Sequence, residues 1–206
     1  MKKLAIFVSG SGTNLQQITE YFAPNPEVKI VCVVSNNKDA FANVRAKNLG
    51  IPLVMLNSKA KIHDFELQSQ YEVSQTFDFQ DKAFSEYLKS LDVDLIVLAG
   101  FLWLIPQHLL DAFPGKIINI HPALLPKYGG KGFYGHHVHE AVVAHHEKES
   151  GITIHYVNER YDSGDIIFQK SVELSETDTA EDVAAKIHIL EKDYFPVVIE
   201  ELLKSL

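Results

Sequence analysis

The chain has 206 residues, 46% hydrophobic and 22% charged, a balance that suits one globular domain with a sizeable core and is too short for two independent ones. A net charge of −8 with a pI of about 5.6 removes any general electrostatic reason to bind nucleic acid. The one cysteine, Cys32, excludes an intrachain disulfide framework. No apolar run is long enough to cross a membrane, and Leu4 to Val8 breaks into Ser-Gly-Ser-Gly too early for a signal peptide, so a cytoplasmic protein is expected.

Leu4 to Val8 reads as a buried strand, ended by the glycine turn Ser9 to Gly12. Asn14 to Phe22 reads as a helix stopped by Pro24, and Val28 to Val34 as a second strand with Cys32 in its core. Asp39 is placed to cap a helix from Ala40 to Leu49, with Gly50 in the C′ position. Pro52 to Leu56 is a short third strand. Asn57 to Gln80 is polar, has no clean period, and reads as loop with a fragment of helix. Asp81 to Leu91 is a helix, and Leu95 to Ala99 is apolar on both faces, as a central parallel strand is. Pro106 opens a short helix to Ala112.

Ile117 to Ile120 is the next strand, ended by Pro122. Lys127 to Gly135 is a glycine-rich loop, Val138 to Glu147 a helix, and Ile152 to Val157 and Ile166 to Leu174 two strands. Thr179 with Asp182 has the form of a capping box, opening a long helix to about Leu203 with a kink expected near Pro196. Strand and helix alternate without repeat or composition shift. The expected fold is α/β, one domain over residues 1–206, a Rossmann-like, open, mostly parallel twisted sheet with helices on both faces.

Two stretches carry chemistry on residue type and spacing alone. Asn119 and His121 sit two apart at a strand end, so both point to the same side, at the lip where open parallel sheets bind ligands. An amide N–H and an imidazole N–H aimed at one point stabilise a developing oxyanion. Ser9 to Asn14 leaves a strand and opens a helix, a geometry that offers backbone N–H groups and a positive dipole end to phosphate. It is not the full dinucleotide fingerprint. Leu15 stands where the third glycine belongs, Ser35-Asn36-Asn37 lacks the acidic ribose ligand, and no Gly-Lys-Ser/Thr follows. A mononucleotide-like phosphate fits better than NAD or ATP.

NIHPALLP (Asn119 to Pro126) resembles the signature of the folate-dependent formyltransferases. SGSGTNL (Ser9 to Leu15), AGFLWLIP (Ala99 to Pro106) and HYVNERYDSG (His155 to Gly164) add to the resemblance, in the family's order and across nearly the whole chain. It implies formyl transfer from 10-formyltetrahydrofolate, a co-substrate, to the amine of glycinamide ribonucleotide in purine (IMP) biosynthesis, without a metal. It assigns catalysis to Asn119, His121 and Asp162. Ribonucleotide binding falls to Gly12, Thr13, Asn14 and Glu191. Folate binding falls to Leu102, Trp103, Leu104 and Ile105, with Asn119 and Asn158. Trp103 stands where some members have Arg, and no Arg is evident between Asn57 and Gln80, where some relatives use one near the folate tail.

Gly129 to Gly135 exceeds the loop of many members, as a lid or a plain insertion. His136, His137, His139, His145 and His146 include helical-face spacings but no ordered ligand motif with Cys or carboxylate, so no metal is expected. The implied partners are the two small molecules, with no nucleic acid or membrane, in a monomer or homodimer. The rival readings are a formyltetrahydrofolate hydrolase, with water as acceptor, and a non-catalytic phosphate-sugar binding module.

Overall fold

The computed structural model describes residues 1–57 and 73–206. They form two compact units, one of Met1–Ile117 with Leu206 and one of Ile118–Ser205.

In the first unit β1 (Lys2–Val8), β2 (Val28–Ser35), β3 (Leu53–Asn57), β4 (Gln75–Asp78) and β5 (Leu95–Leu98) lie in the order β4-β3-β2-β1-β5, every pair parallel. The chain builds outward from β1 through β2, β3 and β4, then returns to place β5 on the other side of β1. The break between β1 and β5 is therefore a topological switch point, where ligands of such sheets bind. Leu4 to Val8 are fully buried, because a central parallel strand is covered on both faces. α1 (Thr13–Phe22) buries Leu15, Ile18 and Phe22, one helical stripe. Phe7 packs on Phe84 and Phe101, with ring centroids 5.9 and 5.3 Å apart.

α2 (Phe41–Asn48) ends at Gly50, whose φ of 67° fills the expected C′ position. Asp39 does not cap it, contrary to expectation. Asn37 Oδ1 accepts the Asp39 N–H at 3.0 Å, an Asx turn that fixes the approach to the helix, and Ala40 takes the N-cap place without a side-chain bond. Asp81 does cap α3 (Lys82–Ser90), accepting the Ala83 N–H. α4 (Gln107–Ala112) follows Pro106 as predicted. β4 falls in the stretch read as loop and helix fragment; its four residues, two exposed and two half-buried, pair with β3 but carry no alternation to read. The rest of that reading, over 58–72, lies outside the described residues.

In the second unit β6 (Ile117–His121), β7 (Glu149–Tyr156) and β8 (Ile166–Glu173) are antiparallel neighbours in that order. α5 (His136–Ala144) begins and ends earlier than predicted. Gly135 at φ 52° sets its start, and His146, also at φ 52°, turns the chain out beyond it. α6 (Ala180–Ser205) packs on β7 and α5 and runs through Pro196. Its capping box is present: Asp182 N–H donates to Thr179 Oγ1 at 3.2 Å, and Thr179 N–H to Asp182 Oδ2 at 2.9 Å. Parallel strands outnumber antiparallel ones and helices alternate with them, the α/β class expected. Among the described residues no helix is long and apolar enough to cross a membrane.

Candidate active site

β6 delivers Asn119 and His121 to its C-terminal lip. His121 is only 3% exposed, and its Nε2–H donates to the Tyr128 carbonyl at 2.7 Å. A carbonyl can only accept, so this bond fixes the tautomer and leaves Nδ1 with the lone pair when the ring is neutral. Nδ1 lies 3.5 Å from Asp162 Oδ1. That is a charge contact, long for a strong hydrogen bond.

Asp162 sits in the β7–β8 turn at φ 52°, a left-handed conformation that Asp tolerates better than most residues. Gly164 makes the turn possible: a Cβ there would lie 1.8 Å from the Tyr156 carbonyl oxygen. Asn158 Oδ1 accepts from Arg160 N–H at 3.0 Å and from the Ser163 hydroxyl at 2.9 Å, so it shapes the same turn. Gly130 N–H donates to Asp162 Oδ2 at 2.8 Å. Two main-chain groups of one loop, the Tyr128 carbonyl and the Gly130 amide, thus hold the imidazole and the carboxylate.

His155 joins the site, and the sequence reading gave it no role. It is paired with Asn119 in the β6–β7 register and is 2% exposed. Its Nδ1–H donates to the Tyr156 carbonyl at 2.8 Å, which leaves the Nε2 lone pair to accept from Asn119 Nδ2 at 3.1 Å. The same Nε2 is 3.7 Å from Asp162 Oδ1. One buried ring therefore accepts from the amide and lies against the carboxylate. The second Asn119 N–H remains to be donated elsewhere.

Burial holds the His121 imidazole below its usual range; the Asp162 charge and the Tyr128 carbonyl pull the other way without cancelling it. Desolvation outweighs the pull of the carboxylate on the ring. Burial pushes the Asp162 carboxyl up, but His155, His121 and the Gly130 N–H together bring it below the ordinary range. The resting pair at neutral pH is a neutral imidazole beside an ionised carboxylate.

The glycine turn of the first unit is built differently. Asn37 Nδ2 donates to the Ser9 carbonyl at 3.1 Å, Ala42 N–H to that of Gly10 at 3.0 Å, and Arg45 Nε to that of Ser11 at 3.0 Å. The Gly10 and Ser11 carbonyls are thus bonded from α2 and that of Ser9 from the turn before it, so the N–H groups of the same peptides point the opposite way. Gly12 has φ 75°, and a Cβ on it would lie 2.7 Å from Ala42 Cβ. Thr13 and Asn14, half-exposed, open the helix.

The loop after β5 is tied to the same turn, since Leu102 N–H donates to Ser9 Oγ at 3.0 Å. Leu102 and Leu104 are exposed there, at 45% and 40%, Ile105 is core, and Trp103 packs on Phe79. Glu191 is buried rather than a solvated helix carboxylate, and His188 Nδ1 lies 3.0 Å from its Oε2. His139 is buried beside them and pushed down to about 4, chiefly by burial. His137 pairs with Glu140, and His145 donates to the Ala141 carbonyl. Among the described residues no three His, Cys, Asp or Glu groups are arranged to hold a metal.

A buried imidazole with a half-buried amide and carboxylate beside it, and no nucleophilic Ser or Cys, suits acyl transfer through an oxyanion. Residues 2–199 match the family described as formyl transferase. The chain belongs to that family of enzymes, which transfer formyl groups. It is 38% identical to phosphoribosylglycinamide formyltransferase of Haemophilus influenzae, over 97% of this chain and 86% of that one. It is also 38% identical to the enzyme of that name from Bacillus subtilis, over 98% and 95%. The solved structure of glycinamide ribonucleotide transformylase 1 from Geobacillus kaustophilus superposes with a TM-score of 0.81 at 32% identity, over 98% of this chain and 99% of that one.

Proposed function

We propose that this chain is a phosphoribosylglycinamide formyltransferase, which passes the formyl group of 10-formyltetrahydrofolate to the amine of glycinamide ribonucleotide. The observation that carries the reading is the set of Asn119, His121 and Asp162 gathered around the buried His155 ring. The match over residues 2–199 supports treating the chain as one formyltransferase domain. A cytoplasmic setting, small-molecule partners without nucleic acid, and a monomer or homodimer are part of the same reading.

The amine nitrogen attacks the formyl carbon, and the carbonyl oxygen becomes an oxyanion. The second N–H of Asn119 donates to it, with the imidazole beside it. His121 Nδ1, the one ring nitrogen without a proton at rest, takes a proton from the amine. The imidazolium so formed is then paired with Asp162 and adds to the stabilisation of the oxyanion. The C–N bond to the folate breaks, and a proton reaches the folate nitrogen from the His121–Asp162 pair, directly or through water. Gly12, Thr13 and Asn14 take the ribonucleotide phosphate, and Glu191 contacts the same substrate. Leu102 to Ile105 take the pterin, with Asn119 and Asn158 as its polar contacts; the burial of Ile105 confines it to main-chain contacts.

The test is folate release from 10-formyltetrahydrofolate by purified protein, with and without the ribonucleotide. The reading expects release only with ribonucleotide present, together with formylated product. Release without it, with free formate, would make the protein a hydrolase, and no release in either arm would leave a binding module.

A further inference from the structure

The loop after β6 presents two main-chain groups to the site, the Tyr128 carbonyl to His121 and the Gly130 N–H to Asp162. Its first residues are fixed to β7 and β8. Thr153 Oγ1 accepts the Leu125 N–H at 3.0 Å and donates to the Ala123 carbonyl at 2.7 Å, and Gln169 Nε2 donates to the Leu125 carbonyl at 3.0 Å. These bonds stop short of Tyr128. A cavity of about 260 Å³, lined by Leu124, Tyr128, Val142 and Glu147 among others, lies between the loop and the connection from α5 to β7, so close packing does not fix the loop from that side. Tyr128 nevertheless stands at φ 55°, a left-handed conformation that a bulky residue keeps only where its surroundings impose it.

Across the cavity stands Glu147. Its own N–H donates to the Val142 carbonyl at 3.2 Å, which anchors it to the end of α5. Its Oε1 accepts from the Tyr128 hydroxyl at 2.9 Å and from Lys127 Nζ at 2.9 Å. Lys127 and the Tyr128 hydroxyl hold the Glu147 carboxyl below its ordinary range, and burial pushes the Tyr128 phenol up to about 12. At neutral pH the phenol therefore donates and the carboxylate accepts.

We propose that Glu147 is a positioning residue for His121: it holds the Tyr128 side chain, and through it the carbonyl that orients the imidazole with Nδ1 toward Asp162. It acts through the loop and not on the substrate. Its effect on turnover rests on the formyl-transfer reading; its effect on the His121 ring does not.

The test has two readouts, the kinetics of formylated product and the titration of the His121 ring by NMR. Tyr128→Phe keeps the ring, with its contacts to Phe133 and His145, and removes only the hydroxyl. Tyr128→Phe and Glu147→Ala should each cut turnover about fivefold with the KM for ribonucleotide unchanged, and the double change should cost no more than either. The Tyr128 carbonyl raises the His121 pKa against burial, so a slackened carbonyl moves the ring titration to lower pH. Asp162, His155 and His139, the other titratable groups acting on that ring, are unchanged in both variants. Glu147→Gln keeps an acceptor for the hydroxyl and should hold turnover within about twofold of the parent, as should Lys127→Ala, whose ion pair is exposed. The proposal is overturned by an unmoved His121 titration in Glu147→Ala, by additive losses, by a loss carried in KM, or by a Lys127→Ala loss as large as that of Glu147→Ala. Should the parent chain form no formylated product, the formyl-transfer reading falls, and the His121 titration alone decides the positioning role.

Discussion

His155→Leu tests the part of the site that holds the rest in place. Leucine keeps most of the buried volume, so packing loss is small, while both ring nitrogens go. Asn119 Nδ2 loses the acceptor that holds it at 3.1 Å. A neutral hydrogen bond is worth about 1 kcal/mol, which is about fivefold in rate if nothing else moves. If the amide swings free, the loss approaches that of removing an oxyanion donor, about a hundredfold. The turnover number should therefore fall by roughly fivefold to a hundredfold, with the KM for ribonucleotide unchanged. The assay is formylated product at saturating substrates, with folding checked by thermal melting. In an Asn119→Ala background the same change should cost much less, leaving what the 3.7 Å contact with Asp162 contributes. Equal losses in both backgrounds, or a loss carried by KM, would refute the reasoning.

Asp162→Asn should cut turnover by about a hundredfold or more while ribonucleotide affinity holds, as measured by calorimetry. It should also move the acid limb of the pH–rate profile downward. The Asp162 charge raises the His121 pKa, so its loss lets burial lower it further; a limb that moves up would contradict this sign. Gly12→Ala forces a Cβ to 2.7 Å from Ala42 Cβ at φ 75°, and should raise the KM for ribonucleotide by about tenfold with turnover nearly intact. Part of that loss should return with Ala42→Gly, and no recovery would place the damage elsewhere. His139, neutral and buried, contributes stability that is complete above its ordinary pKa of 6.5 and is lost as pH falls toward about 4. The drop is worth about 3 kcal/mol, as the imidazole falls from 6.5 to about 4 on folding. His139→Phe should flatten the urea midpoint across that window, and an unchanged slope would rule the residue out.

What could be read from the sequence had a side-chain pattern, and what could not was made of backbone and register. Leu95 to Leu98 announced a central strand because parallel strands are apolar on both faces, and β5 is buried along its length. Asn119 and His121 were legible because spacing of two puts them on one side of a strand whose end Pro122 marks. His155 lies in the same stretch as Asp162, yet its role depends on the antiparallel register that sets it opposite Asn119. Nothing local encodes that pairing. The Tyr128 carbonyl and Gly130 amide have no sequence signal, since every residue carries such groups. Asp39 misled because a good capping residue lost to a stronger neighbouring turn at Asn37. β4 was missed because two exposed residues followed by two half-buried ones give no period.

The lowered pKa values of His121 and Asp162 matter together for the proposed mechanism more than either alone. A base must be empty before it can accept a proton, and burial keeps His121 Nδ1 empty at neutral pH. Were Asp162 bonded to a protonated Nδ1 at short range, the ring would be charged at rest and of no use as a base. At 3.5 Å the carboxylate is near enough to favour the cation once formed and too far to hold it in place beforehand. The Gly130 N–H helps keep the carboxylate ionised at that distance, so its charge is in place for the proposed proton transfer. In the proposed mechanism the long contact suits a pair whose interaction is stronger in the transition state than in the resting enzyme.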